Sequence, residues 1–165
     1  MQIELANASR MEEILAVYES ARAYMRENGN LHQWVGGYPS QELLLEDIAK
    51  GQLYLCTEEG EIFGVFCYFE GEDPTYREIF DGAWLNDRAY GVIHRIAVAR
   101  HCRGVASYCF SHCFNRCKNL KIDTHADNIP MQKALAKNGF LRCGIIHLEN
   151  GDPRIAYQRR PHSQR

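Results

Sequence analysis

Between Val92 and Ser107 the chain reads Val-Ile-His-Arg-Ile-Ala-Val-Ala-Arg-His-Cys-Arg-Gly-Val-Ala-Ser. A β-branched apolar run passes through a short basic turn into a segment with helical spacing. Gly104 and Ala106 are small, so a ligand can come close to the main chain. A helix that begins here has amides without intrahelical partners and the positive end of its dipole facing outward. Arg100 and Arg103 add full positive charge. Such a turn suits a phosphate or pyrophosphate. A glycine at a strand–helix junction also serves plain turn chemistry, and the segment alone does not separate the two.

The elements around this turn follow from periodicity. Residues 3–5 read as a short strand. Ser9 stands three residues before Glu12, a capping-box pattern, and Met11, Ile14, Leu15, Tyr18, Ala21 and Met25 follow at helical steps. An aromatic and glycine-containing loop spans 28–39, and Ser40 caps a second helix that closes at Lys50-Gly51. The period then changes to two, with strands at 52–57 and 62–70. A long connection covers 71–89 and leads to a strand at 90–98. A helix at 102–117, a strand at 120–125, a helix at 128–138 and a hairpin of 140–148 with 154–159 complete the chain, and 160–165 is a polar tail that frays. Pro130 fits a first helical turn and Gly139 a C-terminal cap. The order β-α-α-β-β-β-α-β-α-β-β, with no linker or repeat, predicts one domain over 1–165 built on a mixed sheet.

The turn resembles motif A of the GNAT N-acetyltransferase superfamily, whose fingerprint is Gln/Arg-x-x-Gly-x-Gly/Ala. Here it reads His101-Cys102-Arg103-Gly104-Val105-Ala106, with His101 at the departing first position. The family's later helix, Asn-x-x-Ala, then Leu-Tyr, then Gly-Phe, is matched by Asn128-Ile129-Pro130-Met131, Ala134-Leu135 and Gly139-Phe140. The resemblance implies an α/β (α+β) GNAT-like fold: a mixed, mostly antiparallel central sheet with a splayed parallel strand pair, flanked by helices. It implies acetyl-CoA as acyl donor. The pyrophosphate would rest on Arg103, Gly104, Val105, Ala106 and Ser107, and the pantetheine arm would pair with Ile96, Ala97 and Val98. Asn128 would bond the pantetheine or line the thioester; its residue type equally favours a helix N-cap. Lys137 lies either near the nucleotide or on an exposed helix face.

Acetyl transfer to an amine needs a neutral amine, since an amine with a pKa of about 10 is mostly protonated at neutral pH. A base, direct or through water, therefore helps. A strand amide would polarise the thioester carbonyl. The family's usual acid is a Tyr on the last helix; Leu135 stands there instead. Candidates for proton transfer are His94, Asp123, His125 and Tyr157. Two-residue alternation puts His94 on the face of Ile96 and Val98, and its ordinary pKa of about 6.5 suits the task; a histidine bonded to the main chain is the plainer alternative. Asp123 and His125 face the cleft or pack under a helix. Gln33, Trp34 and Tyr38 fall where the family places its first acceptor loop. The aromatic pair either receives a cation or an apolar body or seals the core. In the connection 71–89, Glu72, Asp73, Glu78, Asp81 and Asp87 outnumber Arg77 and Arg88. That excess suits an amine acceptor, a solvated lid or a homodimer contact.

The whole composition narrows the partners. With 165 residues, 45% apolar and a formal net charge of −2, the chain is a globular domain without the electrostatic footprint of a nucleic-acid binder. No apolar run approaches the ~20 residues of a membrane span. No basic stretch leads into an apolar one at the N-terminus, which predicts a cytoplasmic protein. Seven cysteines, an odd number without a Cys-x-x-Cys pair, read as small buried hydrophobes and give no metal-ligand spacing. The expected activity is acetyl-CoA-dependent N-acetylation of a small primary amine or amino-acid-like acceptor. Two alternatives are an acyl-CoA-binding module without turnover and an acetylase of an RNA-linked amine.

Overall fold

In the computed structural model, which describes residues 1–99 and 102–161, the chain runs β1 (Gln2–Leu5), α1 (Met11–Glu27), α2 (Gln41–Ala49), β2 (Leu53–Glu58), β3 (Glu61–Glu70), β4 (Gly91–Val98), α3 (Val105–Cys117), β5 (Leu120–Thr124), α4 (Ile129–Lys137), β6 (Leu141–His147) and β7 (Pro153–Arg159). This is the order read from the sequence. Arg100, His101 and residues 162–165, most of the expected frayed tail, lie outside the described residues. All strands join one seven-stranded sheet ordered β1-β2-β3-β4-β5-β7-β6. Every neighbouring pair is antiparallel except β4–β5, which is parallel. The mixed, mostly antiparallel sheet expected from the sequence is therefore present.

Two helix layers cover the sheet. α3 and α4 bury Cys109, Phe110, Cys113 and Leu135 against Phe66, Ile93, Ile96 and Ile122. On the other face α1 and α2 lay Ile14, Tyr18 and Leu44 on Leu53, Leu55, Val65 and Cys67. Each such fully buried side chain contributes about 1.5–3 kcal/mol. The cysteines spaced by four thus serve as apolar filling, and all seven are free thiols. The connection 71–89 packs rather than floats: Phe80 exchanges hydrogen bonds with Ile145 at 2.8 and 2.7 Å. Gly144 permits this, since a Cβ there would meet the Phe80 carbonyl oxygen at 2.5 Å.

Three local expectations change. Ser9 does not cap α1; Asn7 caps a short 3-10 turn, accepting from the Ser9 amide at 2.8 Å, and Ser9 lies inside that turn. α3 begins at Val105 rather than 102, because Gly104 at φ 74° turns the chain just before it. The alternation along β4 slips at Arg95, whose φ is 53°. Cys67 pairs with His94 and Val65 with Ala97, so Phe66 faces two residues of β4, a β-bulge. Ile93 and Ile96 consequently pack in the same cluster. His94 therefore stands opposite Cys67, on the other face from Ile96.

The parallel pair is short. β4 and β5 bond only at Gly91–Leu120 and Val92–Lys121 and then part. The gap they leave is the centre of the cleft.

Candidate active site

The cleft has two adjoining halves. The first is a cavity of about 380 Å³ bounded by the end of β4, the turn at Cys102–Gly104, Pro130 and Ala134 of α4, and Tyr24 of α1. The second, about 640 Å³, lies between the loop 28–39, the centre of β4, β5 and the β6–β7 turn. Met25, Ile96, Asn128 and Met131 line both.

The first half is built from main chain. Ser40 caps α2 and Asn128 caps α4 through a side-chain oxygen, but among the described residues no side chain caps α3. The amides of Val105, Ala106 and Ser107 therefore have no intrahelical acceptor. Gly104 holds a left-handed conformation that favours glycine, with no atom of the described residues within 4 Å of where a Cβ would stand. The Val105 side chain fixes the helix end on the sheet; a Cβ on Gly64 would meet it at 2.8 Å. The Ser107 hydroxyl accepts from Asn138 Nδ2 at 3.1 Å, tying the start of α3 to the end of α4. Arg103 is exposed beside the turn.

Strand polarity sorts the expected pantetheine partners. The Ala99 amide donates to the Phe63 carbonyl at 2.9 Å. By alternation Ala97 also spends its main-chain groups on β3, leaving those of Ile96 and Val98 facing the gap. Ile96 and Val98 therefore fit the role expected of them, and Ala97 offers only its methyl group to the cavity wall. Lys137 is exposed and lines neither cavity.

The second half is built from side chains that meet across long sequence separations. His94 Nε2 lies 2.6 Å from Asp73 Oδ2. Thr75 donates its amide and its hydroxyl to Asp73 Oδ1, at 2.9 and 2.7 Å. Burial would raise the Asp73 pKa, but the hydrogen bonds from His94 and Thr75 and the charge of His94 outweigh it and hold the carboxyl at about 2. An ionised carboxylate only accepts, so Nε2 carries a proton, and in the uncharged form of the ring Nδ1 is the nitrogen that keeps a lone pair. Nδ1 has no protein partner among the described residues. Beside this pair, the Tyr76 hydroxyl donates to Asp123 Oδ2 at 2.6 Å. Burial and the neighbouring Asp123 charge push the Tyr76 pKa up, so its phenol stays a donor.

Arg95 locks the bulge. Its guanidinium makes two 2.9 Å bonds to Asp47 of α2 and one of 3.1 Å to the Tyr38 hydroxyl, while Tyr18 donates to its carbonyl at 2.7 Å. Trp34 sits between Tyr18 and Tyr38, with ring centroids 5.7 and 6.3 Å away. Trp34 and Tyr38 thus both support the core and line the cavity. Gln33 Oε1 accepts from Asn30 Nδ2 at 2.8 Å and from Asn128 Nδ2 at 2.9 Å. Asn128 also accepts from the Met131 amide at 3.1 Å. It is the N-cap of α4 and, with Gln33, a bridge across the cleft where the two halves meet.

Not every candidate reaches the cleft. Tyr157 lines neither cavity; it faces Ile122 across β5–β7 and packs with Leu135 and Phe140. Its removal from the site follows from strand parity, since Asp123 and Tyr157 point to opposite faces. His125 Nδ1 accepts from the Asp127 amide at 3.0 Å and shapes the turn into α4. Leu135 is fully buried. The sequence reading missed Asp73 as an individual partner and missed Tyr76, Asp47 and Arg95. The one local sign of Asp73 was Asp-Pro-Thr, a turn-starting pattern whose side chain bonds the main chain two residues on.

Comparison with known proteins agrees with this architecture. The sequence model of the Acetyltransferase (GNAT) family matches residues 13–140. A solved GNAT-family acetyltransferase from Streptococcus agalactiae is 30% identical over 98% of this chain and 96% of its own, with a TM-score of 0.89. One from Bacillus cereus is 21% identical, with 98% of each chain covered and a TM-score of 0.65. A ribosomal-protein-alanine N-acetyltransferase from Brucella melitensis is 16% identical, with 98% of this chain and all of that chain (100%) covered and a TM-score of 0.63; at these last two identities the likeness is one of fold. A search of curated proteins found no match.

Proposed function

The chain belongs to the Acetyltransferase (GNAT) family, and we propose that it transfers an acetyl group from acetyl-CoA to the primary amine of a small or amino-acid-like acceptor, by direct attack with both substrates bound. The observation that carries this reading is that the two cavities adjoin. They share Ile96 and Asn128, with the open edge of β4 on one side and the His94–Asp73 pair on the other. One side offers unpaired amides, and the other offers a base whose proton-bearing nitrogen is already committed.

The residues fit an acyl-CoA. The uncapped start of α3 and the open space over Gly104 suit a diphosphate, and Ile96 and Val98 suit a chain carrying amides. When bound, the thioester supplies an activated acetyl group and a leaving thiolate. On the acceptor side, His94 Nδ1 takes the amine proton, directly or through water, while Asp73 fixes the ring and stabilises the imidazolium that forms. Tyr76 holds Asp123 as a second negative group in the same cavity, which attracts the ammonium form of the acceptor. No acid is needed at Leu135, because a thiol's ordinary pKa of about 8.5 makes its anion a competent leaving group near neutral pH. The free thiols suit a reducing compartment such as the cytoplasm. Among the described residues no helix is long and apolar enough to cross a membrane.

The test has two readouts. Acetyl-CoA at saturation raises the melting temperature by mass action, and an amine panel then releases free thiol. A shift without thiol release identifies a binding module. No shift and no heat of binding remove the donor site altogether.

A further inference from the structure

Arg154 of β7 lines the acceptor cavity and is only 5% exposed. Its one side-chain hydrogen bond among the described residues runs from Nη1 to the carbonyl of its own neighbour, Pro153, at 2.9 Å. No carboxylate among the described residues pairs with it. Arg95, less deeply buried, is matched on two nitrogens by Asp47. A guanidinium has five donor hydrogens, and a buried one left unmatched costs several kcal/mol.

The neighbouring acids do not fill this role. Asp123 stands across from Ala156, so Arg154, two residues along β7, is its diagonal neighbour on the same face. The Asp123 carboxylate nevertheless turns to the Tyr76 hydroxyl. Asp152 bonds Asn150 in the exposed turn, and Glu149 is exposed on the same turn. Thr124, fully buried and lining the same cavity, has a hydroxyl without a partner among the described residues. The β5–β7 side of the cavity thus holds unspent donors beside Asp123, while His94 of β4 and its partner Asp73 stand on the other side.

We propose that Arg154 is the anchor for a carboxylate on the acceptor, so that the substrates of this site are amines that also carry a carboxylate, amino acids and their close derivatives. A planar carboxylate can accept two parallel bonds from a guanidinium, which fixes orientation as well as affinity. The acceptor's two ends would then meet opposite charges, with its ammonium toward Asp73 and Asp123. This rests on the transferase reading for its chemistry, but not for the binding of the carboxylate.

The experiment offers amino acids and their carboxamides in matched pairs. Thiol release is followed with acetyl-CoA, and heat of acceptor binding is followed separately with CoA bound. The acid is expected to beat its amide by about tenfold or more, through KM. Arg154→Gln removes that preference while acetyl-CoA affinity stays at the wild-type value, and Arg154→Lys keeps part of it. Should Arg154→Gln also lose acetyl-CoA affinity through misfolding, the wild-type ratio and Arg154→Lys decide. Equal use of acid and amide, a preference that survives Arg154→Gln, or no binding of either overturns the assignment. Arg154-dependent carboxylate binding without thiol release upholds the anchor and sinks the transferase reading; thiol release indifferent to the carboxylate does the reverse.

Discussion

α3 and α4 both start at the cleft, but their first turns are finished in different ways. At α4, Asn128 covers the Met131 amide and reaches Gln33 across the gap. At α3, Gly104 gives the first amides no side-chain partner among the described residues. The same contrast divides the cleft as a whole. The proposed donor half offers main-chain groups and open space, and its side chains matter mainly by being small. The proposed acceptor half is built from side chains in fixed pairs: His94 with Asp73, Tyr76 with Asp123, Arg95 with Asp47. A main-chain site tolerates most substitutions and is ruined by bulk or negative charge. A side-chain site is ruined by loss of a single partner.

That division can be attacked from both sides. Gly104→Glu forces a side chain into a φ of 74° and sets a carboxylate against the proposed diphosphate. Acetyl-CoA binding, read as heat, is expected to fall below detection, and normal affinity would remove the donor half from the account. His94→Ala should lower kcat by about 10²- to 10⁴-fold, the usual range for a lost general base, with acetyl-CoA affinity unchanged. An effect on affinity instead would show that the two halves are not separate. Asp73→Asn is milder, because an amide oxygen still accepts from Nε2. We expect a loss on the order of tenfold, the value of one charge-assisted hydrogen bond, seen in kcat. The smallest effect is on stability. The Asp73 pKa is depressed, to about 2, so its stabilisation is complete above the unfolded value and is lost as pH falls through the folded one. Chemical denaturation between about pH 4 and pH 2 should show wild type losing up to about 2 kcal/mol more than Asp73→Asn. Parallel curves would mean that the carboxylate contributes nothing to the fold.

The two halves were unequally legible from sequence. Gly104, the small residues after it, and Asn128 with Pro130 and Gly139 act through local conformation, and local conformation is written in neighbouring residues. Helix and strand order followed for the same reason, because each period of apolar residues reflects its own element. Asp73 and His94 are 21 residues apart, and Tyr76 and Asp123 47. Nothing local marks such pairs, so Asp73 was visible only as one member of an acidic stretch. The bulge at Arg95 defeated the alternation rule on β4, since one extra residue moves every later side chain to the other face. Tyr157 was proposed by chemical type alone, and strand parity buried it.

By itself the sequence determined the elements, their order, the mixed sheet and a helix start able to hold an anion, because each of these depends on residues a few positions apart. Only the tertiary structure decided which ionisable groups meet. Their pairing depends on the splay of β4 from β5, on the bulge that Arg95 and Asp47 hold, and on the way 71–89 folds back over the sheet to set Asp73 beside His94. These distances are closed by packing of the whole chain, and no segment of it encodes them alone.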